Sequence, residues 1–389
     1  MLSKLHKKFI KDNALLIAIL FLIILNLSFI GYQFFNSRFL APDKANTQPV
    51  ASLEIQQIIS NSDPKIREKL YTKLIERVGP VIAQEDLLKS GLPFDGQTHL
   101  LNHTVGDWIY DKYGTDGLIQ CKDYFLSSCY HGFVIKAIAE NGLSILDKVM
   151  SKCNSEGPTT ATQCAHAIGH GLLAWEGYKN LPQALIRCDE LINTSENFPV
   201  FNCQDGVFME NIWAVHENGE PSPDRWIDKA DPAYPCNSPE IATQYRKACW
   251  SNQPQLMYQF FTQDFEKIAA ECEKLLDEDL KSTCYDSIAR QIHPVANGSL
   301  ETTFNLCKKM PGKWNEECLL SNVSASYSVG DRVVPFEICR LMTGKEHSNC
   351  MSRLINMILT YSKSEKEYFE MCQNITDINW RNKCISNPI

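Results

Sequence analysis

The chain has 389 residues, 44% of them hydrophobic and 22% charged, with a formal charge of -8. That is globular composition, with length for two ordinary domains or one extended array. The acidic balance, and the lack of a Lys/Arg cluster beyond the first dozen residues, exclude nucleic acid as a partner.

Residues 1–13 form a basic tail carrying Lys4, Lys7, Lys8 and Lys11. An uncharged apolar run follows, strongest from Ala14 to Ile30 and fading by Phe35. Its length fits a transmembrane helix over residues 14–35, and the basic flank predicts a cytoplasmic N-terminus. A cleaved signal peptide is the rival reading. It would have a shorter apolar core and a small-residue cleavage site, and Asn36 to Ala41 make a poor one. The rest of the chain is therefore expected in the periplasm, lumen or extracellular space.

Residues 36–51 are a polar linker. Residues 52–96 are predicted helical, as a stalk or cap, with breaks at Pro64 and at Gly79-Pro80.

All 16 cysteines lie between Cys121 and Cys384, an even and dense set that predicts disulfides in an oxidising compartment. Structural zinc would want Cys-x2-Cys knuckles, and the sequence has none. The cysteines fall in pairs at 121/129, 153/164, 188/203, 236/249, 272/284, 307/318, 339/350 and 372/384, and the first members recur at intervals of 32 to 48 residues. A repeat near 34 is the length of one helix-turn-helix unit. Phe265 to Leu276 shows the helical spacing, with Phe265, Ile268, Ala269, Cys272, Leu275 and Leu276 on one face. Glu337 to Met342, a turn at Gly344 to His347 and a helix from Cys350 repeat the scheme. Short, regular spacing favours pairing within each unit.

The period and cysteine placement over residues 97–389 resemble the broad class of disulfide-stapled, tetratricopeptide-like helical-hairpin proteins. The resemblance implies architecture only: an all-α solenoid of disulfide-linked hairpins. Residues 97–235 form its His-rich N-terminal repeats. Within them, residues 217–234 are rich in proline and acid and predict a loop, of the kind that often serves as a lid. Residues 236–389 look like scaffold.

Six of nine histidines lie between His99 and His216. His131 stands two residues after Cys129, His166 two after Cys164, and Asp205 two after Cys203. The same position holds Ser251, Asp286, Leu320 and Ser352 in later units. His99 and His103, like His166 and His170, are four apart, which puts two imidazoles on one helix face with Cβ atoms about 5–6 Å apart. Trp108 and Trp175 align His99 with His166. Gly132, Gly169 and Gly171 beside these histidines argue for close backbone approach or a ligand needing room. The expected metal ligands are His99, His103, His131, His166, His170 and Asp205, with His131, His170 and Asp205 as catalytic candidates. His216 is a rim residue. Imidazole and carboxylate suit zinc, iron or copper.

One histidine after a cysteine is usually a packed core residue; the whole set tracks the repeat and stops after three units. Three functions compete. One is an extracytoplasmic metal-dependent enzyme, a hydrolase or an oxidoreductase. Another is a solenoid scaffold binding a protein or peptide. The third is metal capture, for which Met209 would hint at copper. The only other partner expected is the membrane, through residues 14–35.

Overall fold

A computed structural model describes residues 53–90, 96–192, 198–213, 222–328, 330–362 and 364–386. All of them fall in one compact unit that begins at Ala51. The proposed membrane helix at 14–35, the linker and His216 lie outside the described residues. No helix among the described residues is long and apolar enough to cross a membrane.

The described chain is helical and contains no strand. Three short helices come first: α1 (Leu53–Ser60), α2 (Pro64–Val78) and α3 (Pro80–Lys89). Their breaks are local chemistry. Asp63 caps α2 by accepting from the Lys65 and Ile66 amides, Pro64 occupies the first turn, and Gly79 ends the helix at φ +86°. The trio packs on the first helix of the array, α4 (Gly96–Tyr113). Gln84 fastens it further by donating to the Gln120 carbonyl and accepting from the Lys122 amide.

The array is built from long helices with a short one after each, except between α4 and α5 and between α9 and α10. The long ones are α4, α5 (Ser128–Asn141), α7 (Pro158–Glu176), α9 (Val200–Trp213), α10 (Arg246–Phe260), α12 (Glu278–Ala296), α14 (Trp314–Ser328) and α16 (Gly344–Tyr361). Each packs on the next in this order, forming one continuous row. The short ones are α6 (Leu146–Ser155), α8 (Leu181–Leu191), α11 (Phe265–Glu273), α13 (Leu300–Cys307), α15 (Val334–Leu341) and α17 (Glu365–Gln373); they back the row, and α18 (Ile378–Ile385) closes it on α17.

Every cysteine is bridged to its partner within the unit, across 8 to 15 residues. Six staples tie the end of a short element to the first two turns of the following helix, Cys236 reaches α10 from irregular chain, Cys384 sits near the end of α18, and all the bridged cysteines are buried. Loops this short stabilise by about 3 kcal/mol each in the chain-entropy model. Eight such bridges point to an oxidising, extracytoplasmic environment.

Two element boundaries differ from expectation. The helix begun at Phe265 stops at Glu273, and Leu276 is 99% exposed, so it joins no apolar face. The expected turn at Gly344 to His347 is already the first turn of α16. One helix stops short of its apolar pattern and the other starts before it, since the end of a helix is the part its sequence specifies least.

Residues 222–242 contain no helix. They are pinned along α9: Asn211 and Trp226 exchange hydrogen bonds, Arg225 donates to the Ile212 carbonyl, and the Trp226 indole donates to the Lys179 carbonyl.

Candidate metal centre

Glycines set the distances between the helices that carry the histidines. A Cβ on Gly106 would sit 2.0 Å from the Cys129 carbonyl oxygen, and one on Gly132 would sit 2.2 Å from the His103 carbonyl oxygen. The pair α4/α5 is therefore in backbone contact. The pair α7/α9 repeats this contact: Gly169 faces the Cys203 carbonyl and Gly206 faces the His166 carbonyl, each at 2.0 Å for a Cβ. The glycines of 132 and 169 thus serve backbone approach; Gly171 instead meets the side chain of Ile138.

This contact fixes the register. Gly106 matches Gly169, so His103, not His99, is the counterpart of His166, and His131 is the counterpart of Asp205. The tryptophan alignment misplaces α4 by one turn. Packing puts His103, His131, His166 and Asp205 at one repeat position on four successive long helices. His99 is one turn before that position and His170 one turn after.

The result is one cluster of five rings. His131 is at its centre, with ring centroids 5.0 Å from His99, 5.4 Å from His103, 5.1 Å from His166 and 4.7 Å from His170. His103, His131 and His170 are buried, while His99 and His166 keep partial contact with solvent. Two triads have ligand atoms within 4.8 Å of one another: His99, His103 and His131, and His131, His166 and His170. These buried clusters could bind a metal. Asp205 belongs to neither triad. It stands behind His166, its Oδ2 3.2 Å from Nδ1 of that ring.

Hydrogen bonding assigns the tautomers. Nδ1 of His170 lies 2.8 Å from Oε2 of Glu210, whose Oε1 accepts from the Tyr178 hydroxyl. A carboxylate only accepts, so Nδ1–H donates and Nε2 of His170 carries the lone pair. The same logic through Asp205 leaves the lone pair of His166 on Nε2. These two Nε2 atoms are 3.2 Å apart, acceptor facing acceptor. On the other side, His99 Nδ1 is 2.8 Å from the Phe125 carbonyl and must donate to it. His99 Nε2 then accepts from Nδ1 of His131, at 3.1 Å. Nε2 of His131 is left as a buried acceptor with no hydrogen-bond partner among the described residues. Lone pairs on Nε2 of His131, His166 and His170 are thus each backed by a bond from the opposite ring nitrogen, the arrangement that orients metal-ligating histidines.

Electrostatics agree. Burial pushes the His131 pKa well below the ordinary histidine value, and the His170, His99, His166 and His103 rings push it further down. Burial alone would raise the Asp205 carboxyl; the hydrogen bond from His166, the attraction of that ring when it is protonated, the Arg290 charge and a Ser251 hydrogen bond outweigh it and hold the group below its usual value. Asn252 donates to both Oδ1 and the backbone carbonyl of Asp205.

Glu210 and Tyr178 are participants that the sequence pattern does not single out. Glu210 lies five residues after Asp205, off the i, i+4 spacing, and no equivalent glutamate recurs in other units. Its one sequence clue is a lone acid in an otherwise uncharged stretch from Val207 to His216. No family model matches this chain, and neither curated proteins nor solved structures yield a match, so no specific family is recognised.

Proposed function

We propose that His131, His166 and His170 hold a divalent transition metal through their Nε2 atoms, and that the chain is an extracytoplasmic metal-dependent enzyme. One observation carries this: the Nε2 atoms of His166 and His170 face each other at 3.2 Å with both Nδ1 atoms committed to carboxylates. A cation between them satisfies both, and ligand nitrogens around a tetrahedral ion with bonds of about 2.0–2.1 Å stand about 3.4 Å apart.

Three protein ligands with an open fourth position mark catalytic rather than structural sites. A bound ion would supply Lewis acidity and activate a water, so hydrolysis is the reaction class the site serves best. Asp205 and Glu210 act as positioning residues, holding His166 and His170. The irregular segment after Ser222 flanks Glu210 and would border the substrate. In this reading residues 14–35 cross the membrane and Lys4 to Lys11 stay cytoplasmic; the support is the charge pattern of the sequence and the oxidised cysteines.

A second reading has its own support. A cavity of about 380 Å³ lies farther along the row, bordered by Phe201, Ser251, Asp286, Arg290, Ser321 and Arg353. It suits a protein or peptide ligand of a scaffold, or the distal part of a substrate.

The test is elemental analysis of the chain isolated from an oxidising compartment, beside a His166→Ala/His170→Ala double variant. Bound metal in the first and none at this triad in the second is expected. Cobalt substitution then probes the open position: a visible spectrum that shifts on adding azide supports catalysis. A metal-free chain whose folding ignores chelators sinks the proposal and leaves the scaffold.

A further inference from the structure

We infer that the cluster holds two metal ions, with His131 between them as a bridging imidazolate. The inference rests on the metal reading above and deepens it.

The two triads share one residue, and it is His131. Its ring is also the only one of the five in ring contact with all four others. A ring that serves two ions must offer a nitrogen to each side. His131 has that disposition. Nδ1 reaches 3.1 Å from Nε2 of His99, while Nε2 is buried with no hydrogen-bond partner among the described residues.

The first triad has the support a metal site needs. His99 and His103 stand four apart on α4, and His131 is held against them by the backbone contact of Gly106 and Gly132. The Phe125 carbonyl accepts a hydrogen bond from Nδ1–H of His99 and so leaves its Nε2 lone pair toward His131. The 3.1 Å between His99 Nε2 and His131 Nδ1 is within a few tenths of the spacing of two nitrogens on one tetrahedral ion, about 3.4 Å. Entry of the second ion replaces the His131 Nδ1 proton, which leaves to solvent. No electron is transferred, and the imidazolate charge is shared by two cations. A triad of nitrogens alone selects zinc or copper over harder ions.

Copper(II) is the probe. The metal-stripped full chain is titrated while bound copper and the electron paramagnetic resonance intensity are followed. Two ions per chain are expected. The signal should grow through the first equivalent and collapse through the second, because an imidazolate couples the two spins. His99→Ala/His103→Ala and His166→Ala/His170→Ala should each bind one ion and keep full signal. Two ions with undiminished signal would overturn the bridge. A single ion, lost only in the His166/His170 variant, would overturn the second site and leave the three-histidine centre standing. No bound copper would remove both. The unmodified chain alone counts the ions and reports the coupling, so a misfolded variant does not blunt the test of the second ion or of the bridge.

Discussion

Nδ1 of His170 donates to Glu210 across 2.8 Å, and that bond comes from a helix two places along the row from His131. The carboxylate fixes both the tautomer and the rotation of the ring. Glu210→Gln keeps the shape and removes the charge, and loss of such an orienting partner typically weakens a metal about 10–100-fold. Competition against a chromophoric chelator measures this; unchanged affinity would remove Glu210 from the site.

Glycine contacts make a sharper prediction. A Cβ on Gly106 or Gly169 would lie 2.0 Å from a carbonyl oxygen of the neighbouring helix, which has no flexible end to give. Gly106→Ala and Gly169→Ala should each cost about 3 kcal/mol or more, the top of the overpacking range. A Cβ on Gly171 would lie 2.5 Å from the flexible Cδ1 of Ile138, so Gly171→Ala should cost about 1 kcal/mol. Urea unfolding of the three variants gives the ranking, and equal losses would contradict the helix spacing.

Acid should destabilise the metal-free chain through His131. Its folded pKa lies well below the unfolded value of about 6.5, so the unfolded chain binds the proton first. Stability from the neutral ring is complete above that pH and is lost as pH falls toward the folded value. Asp205 is shifted downward and titrates below this window. The urea midpoint of chelator-treated protein should therefore drop between pH 7 and pH 5, and drop less in His131→Gln. Parallel curves for both proteins would refute the assignment.

The staples should act locally. Cys272→Ser/Cys284→Ser opens a bridge across 12 residues and should cost about 3 kcal/mol by loop closure. Hydrogen exchange should rise first in α11 and α12, which that bridge joins. Copper content should stay the same, because the histidines lie on α4, α5 and α7. A lost metal would mean the rows are coupled over a longer range than neighbour contacts provide.

The architecture was legible in the cysteines, because a covalent staple placed at each helical corner prints its period directly on the chain. The histidine set was legible for the same reason: His131, His166 and Asp205 hold a fixed distance from a cysteine. What could not be read was register in α4, which has no cysteine; the Trp108 and Trp175 match pointed to His99, and the glycine contacts decide for His103. The part of Asp205 also escaped the pattern, since the same spacing serves a ligand or the residue behind it. Leu276 looked buried because it continues the four-residue spacing of the buried Ile268 and Cys272, and the end of α11 at Glu273 breaks that face before it.

Backbone contact joins α4 to α5 and α7 to α9, but α5 meets α7 through the side chain of Ile138 against Gly171. The cluster therefore straddles two stiff plates and one yielding seam. Any adjustment to ions of different radius falls on that seam, where His131 faces His166 and His170. Ile138→Val, which lightens the seam without touching a ligand, should broaden the range of metals accepted, and equal zinc-to-copper preference in variant and parent would show that the seam is as stiff as the plates.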